Sequence, residues 1–332
     1  MTDRHSIRPR VVGRRALLVA VAGGLLVAPR AVAVAQSTPA AGSAPALPEP
    51  GPLPTVAPRD GGPLPVVTTI GILADMVRHV GGERVAVDSL LPANVDPHEF
   101  EPTPQDVVKA EAAKLIVQHG LGLDHWAEVI IASADSGAPV VTATDGIATL
   151  TAGGGGAPDP HVWFDPRRAK VMIENIAKGL AAADPAGEAA YRTRSDAYQA
   201  ELAALDTAIA AAIETIPPER RKLVTSHDAL AYYADRYGLT IVGTVIPGLD
   251  TSAEPSASEL AKLVAAVSAQ HVPAIFAENT TSPALSERVA SEAGVRVVDT
   301  LYTDSLGPAG SGADTYLGLL RTDTEIIVGA LR

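Results

Sequence analysis

From Leu64 onwards, short apolar or β-branched runs alternate with helical stretches, and the alternation occurs twice, on either side of one long helical pattern. Residues 65–70 (Pro-Val-Val-Thr-Thr-Ile) read as a buried strand, 72–80 as a helix and 85–90 as a second strand. Helix 105–113, strand 115–118, helix 125–133, strand 140–142 and helix 166–183 continue the series. A chain that crosses by a helix before each new strand builds a parallel sheet. The long pattern covers residues 187–216, where Tyr191, Tyr198, Leu202, Leu205, Ile209 and Ile213 recur at near-helical spacing until Pro217-Pro218 stops it. A helix of that length spans roughly 40 Å, enough to join two lobes as a strut. Beyond it come strand 222–225, helix 228–237, strand 241–245, helix 256–270, strand 274–277, helix 283–293, strand 296–300 and helix 315–331. The expected fold is therefore α/β with two lobes, each a mostly parallel sheet flanked by helices, joined by one long rigid helix. Its divisions are an N-terminal lobe over 64–186, the connecting helix over 187–216 and a C-terminal lobe over 217–332. Ligands of open α/β sheets sit beyond the carboxyl ends of strands, which places a site in the interlobe cleft.

The residues before Leu64 follow another logic. Arg4, Arg8, Arg10, Arg14 and Arg15 precede an apolar run over 16–28 that is too short for a normal membrane span, and Ala33-Val34-Ala35 offers a small-x-small cleavage site. Residues 1–35 read as a secretory signal peptide, with a retained N-terminal anchor as the alternative; Arg14-Arg15 leaves both Sec and twin-arginine export open. Residues 36–63, rich in Pro, Ala, Gly and Ser, read as a flexible linker.

The chain has no cysteine, so it offers no disulfide, no thiolate ligand and no cysteine for a lipid anchor. The expectation is an exported protein, periplasmic or at the cell surface, that is not a lipoprotein. Taking away residues 1–35, with six Arg and one Asp, moves the net charge from −12 to −17. Such acidity suits cation capture or plain solubility and argues against nucleic-acid partners.

Any metal ligands must come from His, Asp, Glu or backbone oxygen. Asp96-Pro97-His98 and Asp159-Pro160-His161 repeat one tripeptide in two loops, where proline restricts the backbone on both sides of itself. His227 follows strand 222–225 and is expected to open the next helix; Asp304 lies just beyond strand 296–300, where a helix cap or Asx-turn is the plain alternative. A single loop His is weak evidence. Three in such positions, of the side chain that most often ligates metals, are better evidence.

These segments carry a resemblance. Asp96 to Pro104, Gly120-Leu121-Gly122-Leu123-Asp124-His125-Trp126, Asp159 to Trp163, Ser226-His227-Asp228-Ala229 with Tyr232-Tyr233, Glu254-Pro255-Ser256, Glu278 and Tyr302-Thr303-Asp304-Ser305 follow in the order found in the zinc/manganese-binding substrate-binding proteins of ABC importers, and the chain resembles that family over residues 65–332. The resemblance implies a non-enzymatic protein that captures one divalent ion, zinc in preference to manganese, and delivers it to a membrane permease, acting as a monomer. It implies His98 and His161 as ligands from the first lobe and His227 and Asp304 from the second. Glu278 matches a recurrent acidic residue without being assigned as a ligand. Asp96 and Asp159 either orient the ligand loops or only stabilise their turns. The chain departs from the pattern at residues 153–156, four glycines where many members carry a His-rich loop, and at His119, where Asn is frequent.

Two other classes stand beside this reading. A secreted zinc metallohydrolase needs an open coordination position and a placed base, but no His-Glu-x-x-His helix is present, since Pro102 and Pro104 follow His98-Glu99. A metal-dependent surface adhesin fits the export signal and acidity, yet gives no reason for three placed histidines.

Overall fold

The computed structural model describes residues 45–151 and 156–332. The signal-peptide reading of 1–35, linker residues 36–44 and loop residues 152–155 lie outside the described residues.

In the first lobe, β1 (Leu64–Thr68), β2 (Val85–Ser89), β3 (Leu115–Gln118) and β4 (Val140–Thr142) form one parallel sheet in the order β2-β1-β3-β4. The central strand β1 buries Val66, Val67 and Thr68, as a strand covered on both faces must. Four helices pack on this lobe: α1 (Gly71–Gly81), α2 (Pro104–Ala112), α3 (Ala127–Ala134) and α4 (Pro166–Ala183). Helix α1 turns Ile72, Leu73, Met76, Val77 and Val80 inward, a stripe of helical period. Helix α4 starts where Asp165 accepts the Arg167 amide and Pro166 takes the first position. Gly179 lets α4 approach β4, because a Cβ there would lie 2.5 Å from Val141 Cγ2.

Helix α5 (Glu188–Glu214) is the connecting strut. Near its start the buried Asp184 carboxylate accepts from Arg84 (2.7 and 3.0 Å) and the Tyr191 hydroxyl (2.6 Å); further along, Asp206 accepts from Arg236 and Tyr237 of the second lobe. Its inward residues Tyr191, Tyr198, Leu202, Leu205, Ile209 and Ile213 are those picked out by periodicity.

The second lobe pairs β5 (Lys222–Thr225) with β6 (Thr240–Thr244) and β7 (Ala274–Glu278) with β8 (Arg296–Leu301), both in parallel, with β5 beside β7. Helices α6 (Ala231–Tyr237), α7 (Ala257–Ala269), α8 (Ala284–Ala293) and α9 (Tyr316–Leu331) complete it. Helix α7 opens on a reciprocal Ser256–Glu259 capping box. One apolar core runs from the first lobe through α5 into α6 and α9; a second, smaller one joins Val224, Val245, Leu263, Val267, Ile275 and Val289. The strut is thus packed into a core shared by both lobes.

Two expectations change. Helix α6 begins at Ala231, so His227 does not open it: residues 226–230 form a loop, with the Asp228 amide bonded to Gly248 O and the His227 carbonyl to the Thr225 hydroxyl. Residues 45–63, read as flexible linker, lie against the folded body. Leu47 is buried, Glu49 pairs with Arg321, Arg194 donates to Pro54 O and Arg84 to Ala57 O. A Pro-rich segment loses little entropy on being held extended, and its unpaired carbonyls are good acceptors for arginine. Among the described residues no helix is long and apolar enough to cross a membrane.

Candidate metal centre

Each site residue stands at or beyond the carboxyl end of a strand. The chain leaving β2 carries His98. The loop beyond β4 carries His161. His227 follows β5, Glu278 ends β7, and Asp304 follows β8. The four-stranded sheet of the first lobe and the two strand pairs of the second point these ends at one place, as expected of facing α/β lobes.

The two Asp-Pro-His tripeptides make the same turn. Asp96 Oδ1 accepts the His98 amide at 2.8 Å, and Asp159 Oδ1 the His161 amide at 2.9 Å. Such Asx turns explain why Asp precedes proline in both. The surroundings differ. Pro97 O accepts from Trp126 Nε1 at 2.9 Å, and Trp126 packs edge-on against Phe100. Trp126 ends the Gly-Leu-Gly-Leu-Asp-His-Trp turn, in which Gly120, Leu121 and Gly122 all take positive φ and Asp124 accepts the His119 and Gly120 amides. The motif thus works at a distance, propping the first ligand loop from below.

The second tripeptide is fully enclosed. Asp159 Oδ1 also takes the His161 ring Nδ1–H at 2.8 Å, Pro160 O accepts from His119 Nε2 at 2.8 Å, and the Tyr232 hydroxyl donates to Asp159 O. Trp163 Nε1 reaches across to Thr303 O at 3.1 Å, and the Tyr316 hydroxyl donates to Trp163 O at 2.6 Å. In the second lobe Glu278 accepts both the His227 amide (3.0 Å) and its ring Nδ1 (2.5 Å), and the Thr303 hydroxyl donates to the same carboxylate.

All four residues expected as ligands come together: one atom from each of His98, His161, His227 and Asp304 lies within 4.8 Å of the others. The His161 and His227 Nε2 atoms are 3.3 Å apart, and each is 3.3 Å from an oxygen of Asp304, Oδ1 for His161 and Oδ2 for His227. A tetrahedral ion with bonds of about 2.0–2.1 Å has ligand–ligand edges of roughly 3.3–3.4 Å. His98 Nε2 and Asp304 Oδ1 are buried without a hydrogen-bond partner. Orphaned buried polar atoms of this kind are costly unless something satisfies them.

Electrostatics separate the histidines. Burial pushes the His98 imidazole down to about 4, against the pull of Asp304. Burial acts downwards on His161 too, but its bonds to Asp159 and Asp304 outweigh it and hold the proton more tightly than usual. His227 is likewise raised, burial being overcome by Glu278 and Asp304. Asp304 is held low despite burial, chiefly by His227 and His161. Burial lifts Asp96 to about 6.

Sequence reasoning missed what Glu278 does. It is not among the four clustered residues; it stands behind His227 and fixes that ring. The signal was available: an acid closing a fully buried strand, Ala-Ile-Phe-Ala-Glu, has to be satisfied by something nearby. The role of His119 as donor to the second ligand loop was also missed, because nothing local in the sequence points to Pro160.

A two-lobed α/β body with four convergent His and Asp side chains in its cleft defines the class of extracytoplasmic binding proteins that enclose a small ligand between lobes. The family model described as ZnuA, zinc-uptake complex component A, periplasmic, matches residues 66–330. The manganese-binding lipoprotein MntA of Halalkalibacterium halodurans is 32% identical over 273 residues, 82% of this chain and 90% of that protein. The manganese ABC transporter substrate-binding lipoprotein PsaA of Streptococcus pneumoniae is 29% identical, over 81% of this chain and 89% of its own length. Among solved structures, the periplasmic zinc-binding protein TroA of Treponema pallidum superposes with a TM-score of 0.77 at 30% identity, covering 81% of this chain and 99% of TroA. The chain belongs to the ZnuA family: it is the substrate-binding component of a metal ABC importer, with a membrane permease as partner, and is not an enzyme.

One expectation is overturned here. Export stands, but the reading that the protein is not a lipoprotein does not: relatives matching four-fifths of the chain are named lipoproteins. That reading rested on the absence of cysteine alone.

Proposed function

We propose that His98, His161, His227 and Asp304 hold one divalent transition metal as cargo, zinc more tightly than manganese, and that the chain carries it as a monomer to the permease. The observation that carries this is the convergence of three imidazoles and one carboxylate within 4.8 Å, with His161, His227 and Asp304 already at tetrahedral edge lengths and with His98 Nε2 and Asp304 Oδ1 buried without a hydrogen-bond partner. Behind two of the imidazoles stand carboxylates, Asp159 and Glu278, which fix the tautomer so that Nε2 faces the ion. Three nitrogen donors favour zinc, whose place in the affinity order of divalent metals is above manganese. Both Asp304 oxygens face the centre, so it can also chelate; a fifth donor suits either metal, and the preference rests on the nitrogens. The relatives' names include manganese for MntA and PsaA and zinc for TroA, so kinship alone does not choose. The acidic mature chain suits cation capture and offers nothing to nucleic acid.

The test is elemental analysis of protein purified without added metal, followed by competition at neutral pH. One zinc per chain, displacing equimolar manganese, is the expected result. Manganese remaining in the site against equimolar zinc overturns the preference, and a chain that takes up neither metal overturns the cargo reading.

A further inference from the structure

An enclosed ion can leave only if a ligand swings away, and the four ligands are held unequally. His161 sits in a loop bolted to the second lobe by buried hydrogen bonds: Tyr232 to Asp159 O, Trp163 to Thr303 O and Tyr316 to Trp163 O. His227 is clamped at its amide and its ring by Glu278. The His98 loop meets the second lobe elsewhere, at the mouth. There the Asn94 amide donates to Ser305 Oγ at 2.8 Å, and Asn279 Nδ2 donates to both Asn94 Oδ1 and Ser305 O, each at 3.3 Å.

These three residues are placed to couple the two lobes. Asn94 lies on the chain from β2 to His98. Ser305 follows Asp304 directly, and Asn279 follows Glu278, which holds His227. Asn94 takes φ +58, a left-handed conformation that Asn tolerates better than most residues and that turns its amide towards Ser305. Asn94 is exposed, and an open cavity of about 600 Å³ lined by Asn94, Asn279, Thr300 and Tyr302 runs beside it. The Asn279–Asn94 bond is open to water and the two bonds to the buried Ser305 are only partly covered, so breaking them costs less than breaking the enclosed ones on the His161 side.

We propose that Asn94, Asn279 and Ser305 form a latch at the mouth of the site that closes the His98 loop over a bound ion and sets how fast the ion is released. The proposal rests on the cargo reading above. His98 is then the ligand that departs first, and the latch residues are positioning residues that never touch the metal. Closing follows binding, because an ion that draws Asp304 and His98 together also brings Ser305 against Asn94.

The test is stopped-flow release of zinc from the full chain into an excess of chromogenic chelator, for the parent, Ser305→Ala, Asn279→Ala and Asn94→Gly. The glycine keeps the left-handed backbone and its N–H while removing Oδ1. Release is expected to quicken roughly five- to tenfold in Ser305→Ala and Asn279→Ala and less in Asn94→Gly. The zinc association rate and the Tm of the metal-free protein should stay at parental values, which a merely structural role would not allow. Release within twofold of the parent in all three variants overturns the latch and leaves the cargo reading standing. Faster release accompanied by an equal fall in metal-free Tm also overturns it. A parent that takes up no zinc removes the cargo reading and the latch together, and the uptake measurement separates that failure from the others.

Discussion

The two Asp-Pro-His loops share a tripeptide and a turn, yet the molecule treats them differently. The second is sealed: His161 is fully buried, its ring is tied to Asp159, and its loop is bonded to β7–β8 territory and α9. The first is half-exposed, among the described residues no carboxylate is hydrogen-bonded to its imidazole, and it is supported by a Trp126 hydrogen bond from within its own lobe. Identical local sequence fixes the backbone of a ligand turn. What lies behind the ring decides whether the ligand is a fixed wall or a movable one.

Loss of a ligand is the largest test of that contrast. Structural zinc is held by about 10–16 kcal/mol in all, so removing one of four ligands should cost on the order of a thousandfold in affinity. Isothermal titration of His161→Ala, His227→Ala and His98→Ala should show this order of loss in each, with His98→Ala the mildest because its ring is the least constrained. If His98→Ala proves the most damaging, the assignment of fixed and movable ligands is reversed.

Proton competition comes next. His98 is neutral near pH 7, burial having pushed it to about 4, whereas His161 and His227 have raised proton affinities despite burial. A ligating imidazole must be unprotonated, so an incoming ion displaces protons from the second pair. Each displaced proton costs up to about tenfold in affinity per pH unit. Zinc affinity should therefore fall as pH is lowered from about 7 to about 5. The fall should be shallower in Asp159→Asn, which removes the partner that raises His161. A profile that is flat in the parent breaks the distinction between the loops.

Much of this was legible beforehand, and the limits are physical. Helix α5 and the strands β3, β4 and β5 announce themselves because periodicity and β-branching are local properties. The four clustered residues were legible from motif order. The start of α6 was not, because His227 is held back by Glu278, far away in sequence. The segment over 45–59 was invisible for the same reason: its composition reads as linker, and what holds it down lies far away in sequence, at Arg84, Asp184, Arg194 and Arg321 of the folded body. His119 needed the fold before its partner Pro160 could be named.

The carboxylates behind the turns give a smaller effect with a clear sign. Asp159 bonds both amide and ring of its histidine, while Asp96 bonds only the amide. Loss of an orienting partner to a metal-bound His typically costs about 10–100-fold in affinity. Asp159→Ala should fall in that range, and Asp96→Ala, which loses the turn hydrogen bond and the Thr251 interaction but no bond to the ring, should cost several-fold at most. Equal losses would mean that both aspartates serve only their turns.

The smallest effect concerns the two tryptophans, which brace the two loops in different ways. Trp126 Nε1 donates to Pro97 O within the first lobe, whereas Trp163 Nε1 donates to Thr303 O across the cleft, beside Asp304. Phenylalanine keeps the apolar body of each ring and removes the donor, leaving a buried carbonyl unpaired at a cost of about 1–3 kcal/mol. In Trp126→Phe that cost falls on the first loop whether or not an ion is bound, so the metal-free Tm should drop by a few degrees and zinc release should change little. In Trp163→Phe the broken bond joins the lobe carrying His161 to the strand end carrying Asp304, so zinc affinity should fall several-fold as well. Differential scanning calorimetry of the metal-free variants, paired with zinc competition, separates the two. The comparison fails if Trp126→Phe weakens zinc as much as Trp163→Phe, since the first loop would then be as rigidly coupled to the second lobe as the second loop is.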